Sequence, residues 1–251
     1  MKGTLTIVGL GPGAAELVTP AVTEALNDAT DIVGYSKYID RIKHAIGKSF
    51  HRSDNREEID RAELSINLAL GGKKVVVVSS GDPGVFAMAS AIFEVVDKKS
   101  LSRDDLPILV LPGITALLAA SARLGAPIGH DFCVINLSDN LKSWDVLKSR
   151  VIAAAKADFV IAFYNPRSKS RENQLSEIFD ILRKNCDSDR LVIYANSVST
   201  EAEAIFETTL SEADASLVSM KTLVIIGSSS TKKIRDTGYI YTPRYSGLEK
   251  N

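Results

Sequence analysis

Three glycine-rich segments hold the most readable chemistry of the chain, each following an apolar run and each preceding a helical pattern. The first is Gly9-Leu10-Gly11-Pro12-Gly13-Ala14, whose spacing satisfies a G-x-G-x-x-A dinucleotide fingerprint. Two features oppose a nicotinamide cofactor there. Asp31 stands before its strand rather than at the end of it, where an acid would hold a ribose hydroxyl. Pro12 also removes a backbone N–H from the turn that a pyrophosphate would need. A tight strand-to-helix turn without a ligand is the plain alternative. The second segment is Ser79-Ser80-Gly81-Asp82-Pro83-Gly84-Val85-Phe86. Its glycines let backbone approach a ligand closely, and Asp82 can face a cationic group such as an amine. The alternative makes Asp82 a helix N-cap with Pro83 in the first turn. The third segment, Leu111-Pro112-Gly113-Ile114-Thr115-Ala116-Leu117, reads equally well as a ligand turn or a domain hinge.

Other chemistries find no foothold in the residue pattern. The two cysteines, Cys133 and Cys186, form no Cys-x-x-Cys pair, which argues against a zinc ribbon, an iron–sulfur cluster or a disulfide framework and fits a reducing compartment. His44, His51 and His130 lie in no metal-ligand spacing, so no metal is expected, and no Gly-x-Ser-x-Gly elbow occurs. Thirty basic against thirty-one acidic residues leave a net charge of −1, without the positive field expected of a nucleic-acid partner. Apolar runs stay well short of the roughly 20 residues of a membrane span, and the first residues lack a signal-peptide pattern. A cytoplasmic protein without a membrane partner is the expectation.

The elements that must position these loops follow from periodicity. Apolar, β-branched runs at 5–8, 32–34, 75–79, 108–111, 132–136, 159–163, 191–195 and 222–226 alternate with longer helical patterns. Continuous runs such as Val75-Val76-Val77-Val78 suit a parallel sheet covered on both faces, and the fold class is therefore α/β. The first strand series ends at Pro112-Gly113 and a fresh one begins after Pro127-Ile128-Gly129, giving two domains, 1–113 and 114–251. The 251 residues are enough for either one large or two modest cores.

Taken together and in this order, the three loops resemble the tetrapyrrole (precorrin) methyltransferase family, and the resemblance spans nearly the whole chain. It sharpens at Val33-Gly34-Tyr35-Ser36-Lys37-Tyr38-Ile39-Asp40, at Gly125-Ala126-Pro127-Ile128-Gly129-His130-Asp131-Phe132, at Leu137-Ser138-Asp139, and at Phe163-Tyr164-Asn165-Pro166-Arg167-Ser168-Lys169-Ser170-Arg171. These segments look like the branch that methylates C17 of precorrin-3B, or of cobalt-factor III, and contracts the ring in cobalamin biosynthesis. A sister methyltransferase acting at another ring carbon, a nicotinamide-dependent reductase and a non-enzymatic binding module are the alternatives. Val85-Phe86 departs from the isoleucine-tyrosine pair more usual in the second loop of the family.

The resemblance implies two α/β domains of the class III methyltransferase type with a cleft for S-adenosyl-L-methionine between them, and, by analogy, a homodimer. It places Pro12, Ser80, Gly81, Asp82, Val85, Thr115 and Ala116 around the methionine and ribose end of the cofactor. Asn165, Ser197, Thr222 and Leu223 would enclose the adenine. The implied substrate is a tetrapyrrole with about eight carboxylates, which a near-neutral protein must meet with local cations. Two basic groups qualify: Lys37, Arg41, Lys43, His51, Arg52 and Arg56, and the run Arg167, Lys169 and Arg171. Tyr35, Tyr38 and Tyr164 are candidates to flank the ring. His130 is the candidate catalytic proton handler because an imidazole titrates near neutrality.

Overall fold

The computed structural model describes residues 2–42, 47–54, 57–168 and 171–245. Lys43, Arg56 and Lys169, named above as candidates, lie outside the described residues, as does His44. The chain divides into two compact units, Met1–Ala116 and Leu117–Asn251.

The first unit is built on five parallel strands: β1 (Thr4–Gly9), β2 (Asp31–Tyr35), β3 (Ser49–Ser53), β4 (Lys74–Ser79) and β5 (Ile108–Leu111), in the order β3-β2-β4-β1-β5. The valine run of β4 explains why both faces are covered. Val75 and Val77 pack into one cluster with α3 (Glu58–Leu70) and α4 (Met88–Lys98) through Ile66, Met88 and Ile92. Val76 and Val78 point the other way, toward Val22 and Leu26 of α1 (Pro20–Asp28) and Ile39 of α2 (Ser36–Ile39). A period of two within an unbroken apolar run thus feeds two cores. Strand β3 lacks such a run, its sequence Ser49-Phe50-His51-Arg52-Ser53 being polar, and it forms the edge of the sheet.

At the opening of β2, the Asp31 carboxylate is buried, with Oδ1 2.7 Å from His51 Nε2 on β3 and Oδ2 accepting from Thr30 Oγ1 at 2.8 Å. Burial pushes its pKa up, but the bonds from His51 and Thr30 and the charge of His51 prevail and hold it below the usual carboxylate range. A depressed folded-state pKa stabilises the fold above the unfolded value, about 3.9, and that stabilisation is lost as the pH falls through the folded value. Urea midpoints measured by circular dichroism should therefore fall on acidification below about pH 4, and His51→Gln should flatten that descent. An unchanged acid limb in the variant would remove this pair from the account.

The second unit departs from the all-parallel expectation. It holds α5 (Ala116–Leu124), which starts at the last residue of the first unit, and the strands β7 (Phe132–Asn136), β8 (Val160–Tyr164), β9 (Leu191–Asn196), β10 (Ala204–Thr209) and β11 (Thr222–Ile226), in the order β10-β9-β11-β8-β7. Within this five-stranded sheet only β7 and β8 pair in parallel, joined through α6 (Trp144–Lys156); β11 runs antiparallel to both neighbours, and β10 is antiparallel to β9. The reason lies in the connections. A parallel neighbour needs a crossover of a dozen or more residues, usually a helix. The links from β9 to β10 and from β10 to β11 carry no α-helix. Helix α7 (Gln174–Arg183) packs Leu175, Ile178, Phe179 and Leu182 into the core of this unit with Phe163 and Tyr194. A small sheet of β12 (Lys232–Lys233), β13 (Ile240–Tyr241) and β6 (Gly125–Ala126), too short to read from periodicity, completes it.

Candidate functional site

In the first unit the order of strands brings the three glycine loops side by side, because they follow β1, β4 and β5, and β1 lies between the other two. Gly11 and Gly81 exchange backbone hydrogen bonds, N–H to O at 3.1 and 2.8 Å, so the first and second loops form one bridge. Both glycines have positive φ, +67° and +62°, a conformation that costs glycine nothing. The third loop closes still tighter: a Cβ on Gly113 would stand 2.2 Å from the Gly81 carbonyl oxygen and 2.7 Å from that of Gly9.

Asp82 ties the second loop to the third. Its Oδ1 accepts from Gly84 N at 2.8 Å and its Oδ2 from Gly113 N at 3.0 Å. It is not a helix cap, since α4 begins only at Met88 and is preceded by Ala87. Between Asp82 and α4 the backbone turns through Phe86, an exposed non-glycine residue at φ +53°. Gly84 leaves bare backbone in this cradle, since a Cβ there would meet only Asp82 Oδ1, at 3.2 Å. Ser80, Val85, Pro12, Thr115 and Ala116 are half-buried around the same loops.

Arg41, first read as a cation for substrate, instead braces this assembly. Its Nη2 donates to the carbonyls of Leu10 at 2.6 Å and Gly13 at 3.2 Å, and its Nη1 to Gly11 O at 3.2 Å and Ser80 Oγ at 3.5 Å. One guanidinium thereby spans both sides of Pro12 and touches the second loop. Sequence reasoning missed this role, for which the local pattern holds no signal; the fork of donors on arginine is the only hint. Burial lowers its pKa from an ordinary value so high that the group stays charged.

The remaining cations of that group are mostly engaged as well. His51 faces Asp31, and Arg52 pairs with Asp40 at 2.8 Å. Lys37 lies over the Tyr35 ring at 6.0 Å, and Tyr35 meets Tyr38 edge to face at 5.1 Å.

In the second unit, strand register gathers Asn165, Ser197 and Thr222 at one edge of the sheet. Thr222 pairs with Asn196 and Val224 with Phe163, so the start of β11 lies against the ends of β9 and β8. Asn165 and Ser197 both hold left-handed backbone, φ +51° and +48°, which non-glycine residues keep at a cost and which gathers at functional sites. Asn165 Nδ2 donates to Asn136 Oδ1 at 3.0 Å, and Thr222 Oγ1 donates to Asn196 Oδ1 at 3.3 Å. Thr222 and Leu223 are buried, and Leu223 pairs with Ala195.

Arg171 corrects its sequence assignment. It is only 7% exposed, with Nη1 donating to Leu137 O at 3.1 Å and Asn165 O at 3.0 Å, and Nε lying 3.8 Å from Asp139. It holds the Asn165 turn in place and is no surface cation for a substrate. Arg167 donates to Ser216 O at 3.3 Å. Tyr164 is drawn inward too, its hydroxyl accepting from Leu117 N at 2.9 Å. His130 Nδ1 accepts from Asp131 N at 2.6 Å, which leaves the proton of the neutral ring on Nε2. Burial pushes Cys133 up to about 11, which makes it a poor nucleophile near neutral pH. No group of three or more His, Cys, Asp or Glu among the described residues could hold a metal, and no described helix is long and apolar enough to cross a membrane.

Several known proteins are similar to this chain along most of its length. The Sinorhizobium sp protein named precorrin-3B C(17)-methyltransferase is 46% identical over 248 residues, 98% of each chain. The Salmonella typhimurium protein named probable cobalt-factor III C(17)-methyltransferase is 40% identical over 96% of this chain and 98% of its own. Among solved structures, that of the methyltransferase CobJ superposes with a TM-score of 0.92 at 49% identity, covering 96% of this chain and all of that one. The uroporphyrin-III C-methyltransferase of Thermus thermophilus, solved with S-adenosyl homocysteine, shares the fold with a TM-score of 0.70 at 21% identity, over 90% of this chain and 97% of that one. Residues 4–214 match the family described as tetrapyrrole (corrin/porphyrin) methylases, and the chain belongs to that family.

Proposed function

We propose that this enzyme methylates C17 of precorrin-3B, or of its cobalt counterpart, from S-adenosyl-L-methionine and contracts the macrocycle in the same active site. The observation that carries the reading is the interlocked set of three strand-end loops, in a chain 46% identical along nearly its whole length to a protein named for that reaction. When bound, the cofactor supplies a sulfonium methyl that is already activated. The work left to the protein is alignment and exclusion of water. Pro12, Ser80, Gly81, Asp82, Val85, Thr115 and Ala116 hold the methionine and ribose end with little more than backbone, consistent with the bare cradle at Gly84. Asn165, Ser197, Thr222 and Leu223 hold the adenine, and the two strained turns keep their backbone groups fixed for it. His130 is the candidate proton handler, and Tyr35, Lys37, Arg52 and Arg167 are the contacts for the tetrapyrrole.

The two domains run over residues 1–113 and 114–251. The enzyme works in the cytoplasm as a homodimer. The exposed Leu109 and Val110 of the edge strand β5 support pairing of two copies.

The test offers purified enzyme carbon-labelled precorrin-3B and, separately, the cobalt form. The expected product, by NMR, has gained a methyl at C17 and lost one ring carbon to a side group. Methylation at another carbon, or at C17 without contraction, would move the chain to a sister activity of the same family.

A further inference from the structure

In the second unit, an open cleft of about 500 Å³ is lined by Ala126, Gly129, Lys232, Tyr241, Arg244 and Tyr245, with Thr242 and Pro243. It is basic and aromatic, and among the described residues no carboxylate lines it. Arg244 makes no hydrogen bond or ion pair among the described residues, and Lys232 rests on the Tyr241 ring at 5.5 Å. Elsewhere three of the cations assigned to substrate by sequence are held within the chain: Arg41 and Arg171 by backbone carbonyls, and His51 by Asp31. In a chain of net charge −1, two cations with no carboxylate partner among the described residues, beside the half-buried Tyr241 and the exposed Tyr245, are a local anion trap.

The floor beneath them is rigid. β6 pairs with β13 at Gly125 with Ile240 and Ala126 with Tyr241. Thr242 N and Gly129 N both donate to Ala126 O, at 3.0 and 3.1 Å. Thr242 Oγ1 bonds Thr231 Oγ1 at 2.7 Å and the Pro127 carbonyl. A Cβ on Gly129 would come within 2.9 Å of Thr242 O, so only glycine lets the segment before His130 lie against β13.

We infer that Lys232 and Arg244 receive carboxylates of the tetrapyrrole while Tyr241 and Tyr245 lie against its conjugated edge. This rests on the tetrapyrrole reading above and adds to it a substrate subsite in the last part of the chain. Guanidinium and ammonium groups recognise carboxylates by charge-assisted hydrogen bonds, and tyrosines offer flat apolar area with a wet edge.

The probe is uroporphyrin III, a stable polycarboxylate tetrapyrrole, titrated by its visible absorbance against the full chain. For Lys232→Ala/Arg244→Ala the dissociation constant is expected to rise about tenfold or more, with a flatter dependence on salt, while S-adenosylhomocysteine binds as before. Both residues are exposed, so the fold should persist, and Lys232→Arg/Arg244→Lys should keep most of the affinity. Unchanged porphyrin affinity in the alanine variant, or an equal loss in the charge-preserving one, overturns the subsite and leaves the tetrapyrrole reading standing. Absence of saturable porphyrin binding by the unaltered protein, together with absence of methyl transfer, overturns both.

Discussion

Gly113→Ala is expected to abolish measurable binding of S-adenosylhomocysteine, although the substitution adds a single methyl group. The added Cβ would fall 2.2 Å from the carbonyl oxygen of Gly81 and 2.7 Å from that of Gly9. These obstacles are backbone atoms inside a bridged pair of loops, not the ends of flexible side chains. Relief requires the third loop to withdraw, and withdrawal breaks the bond from Gly113 N to Asp82 Oδ2. Overpacking of this kind costs about 1–3 kcal/mol of stability, which a domain of this size usually survives. The loss of cofactor affinity should be greater, because all three loops must hold one mutual geometry to form the cradle. Calorimetric titration with S-adenosylhomocysteine, beside a urea melt, separates the two effects. Normal affinity in a folded Gly113→Ala protein would show that the third loop takes no part in the cofactor site.

Much of the first unit was legible because its strands are buried on both faces and so announce themselves as unbroken apolar runs. The valines of β4 are the plainest case. β3 escaped because an edge strand need not be apolar, and β10 because its residues alternate between exposed and half-buried. The antiparallel course of the second sheet was hidden for a different reason. The apolar runs of β8, β9 and β11 look alike in either direction, and only the absence of crossover helices tells them apart.

The candidate site was legible where conformation dictates residue type. Glycine at positions 11, 81 and 113 is forced by positive φ or by close backbone approach, and a proline or asparagine in a strand-end turn is nearly as telling. Charges were misread more often, since the residue type does not reveal what a long side chain will find. Arg171 and Arg41 both turn inward to backbone carbonyls, whereas Arg244, which no motif singles out, lies exposed in a cleft. The partner of a cation is fixed by tertiary geometry, and a linear pattern of lysines and arginines carries little of it.

The second large effect is expected at Arg41. In Arg41→Met the carbonyls of Leu10, Gly11 and Gly13 lose their shared donor, and Ser80 loses its link to the first loop. A hydrogen bond to a charged group contributes about 1.5–3 kcal/mol, and a carbonyl left without a partner adds its own desolvation cost. Methionine preserves apolar bulk, so the change isolates the donors from the packing. Pro12 cannot offset the loss, because it has no N–H of its own to anchor the turn. The first loop should then sample several positions, and S-adenosylhomocysteine affinity should fall by about one to two orders of magnitude, the equivalent of one such bond. Arg41→Lys should recover only part of it, since an ammonium cannot reach in the fixed directions of a guanidinium fork. A brace acting only on overall stability would lower the urea midpoint and leave the affinity of the folded fraction unchanged. Full affinity in Arg41→Met, or complete rescue by lysine, would therefore show that the first loop is held by its strand and the Gly11–Gly81 bridge alone.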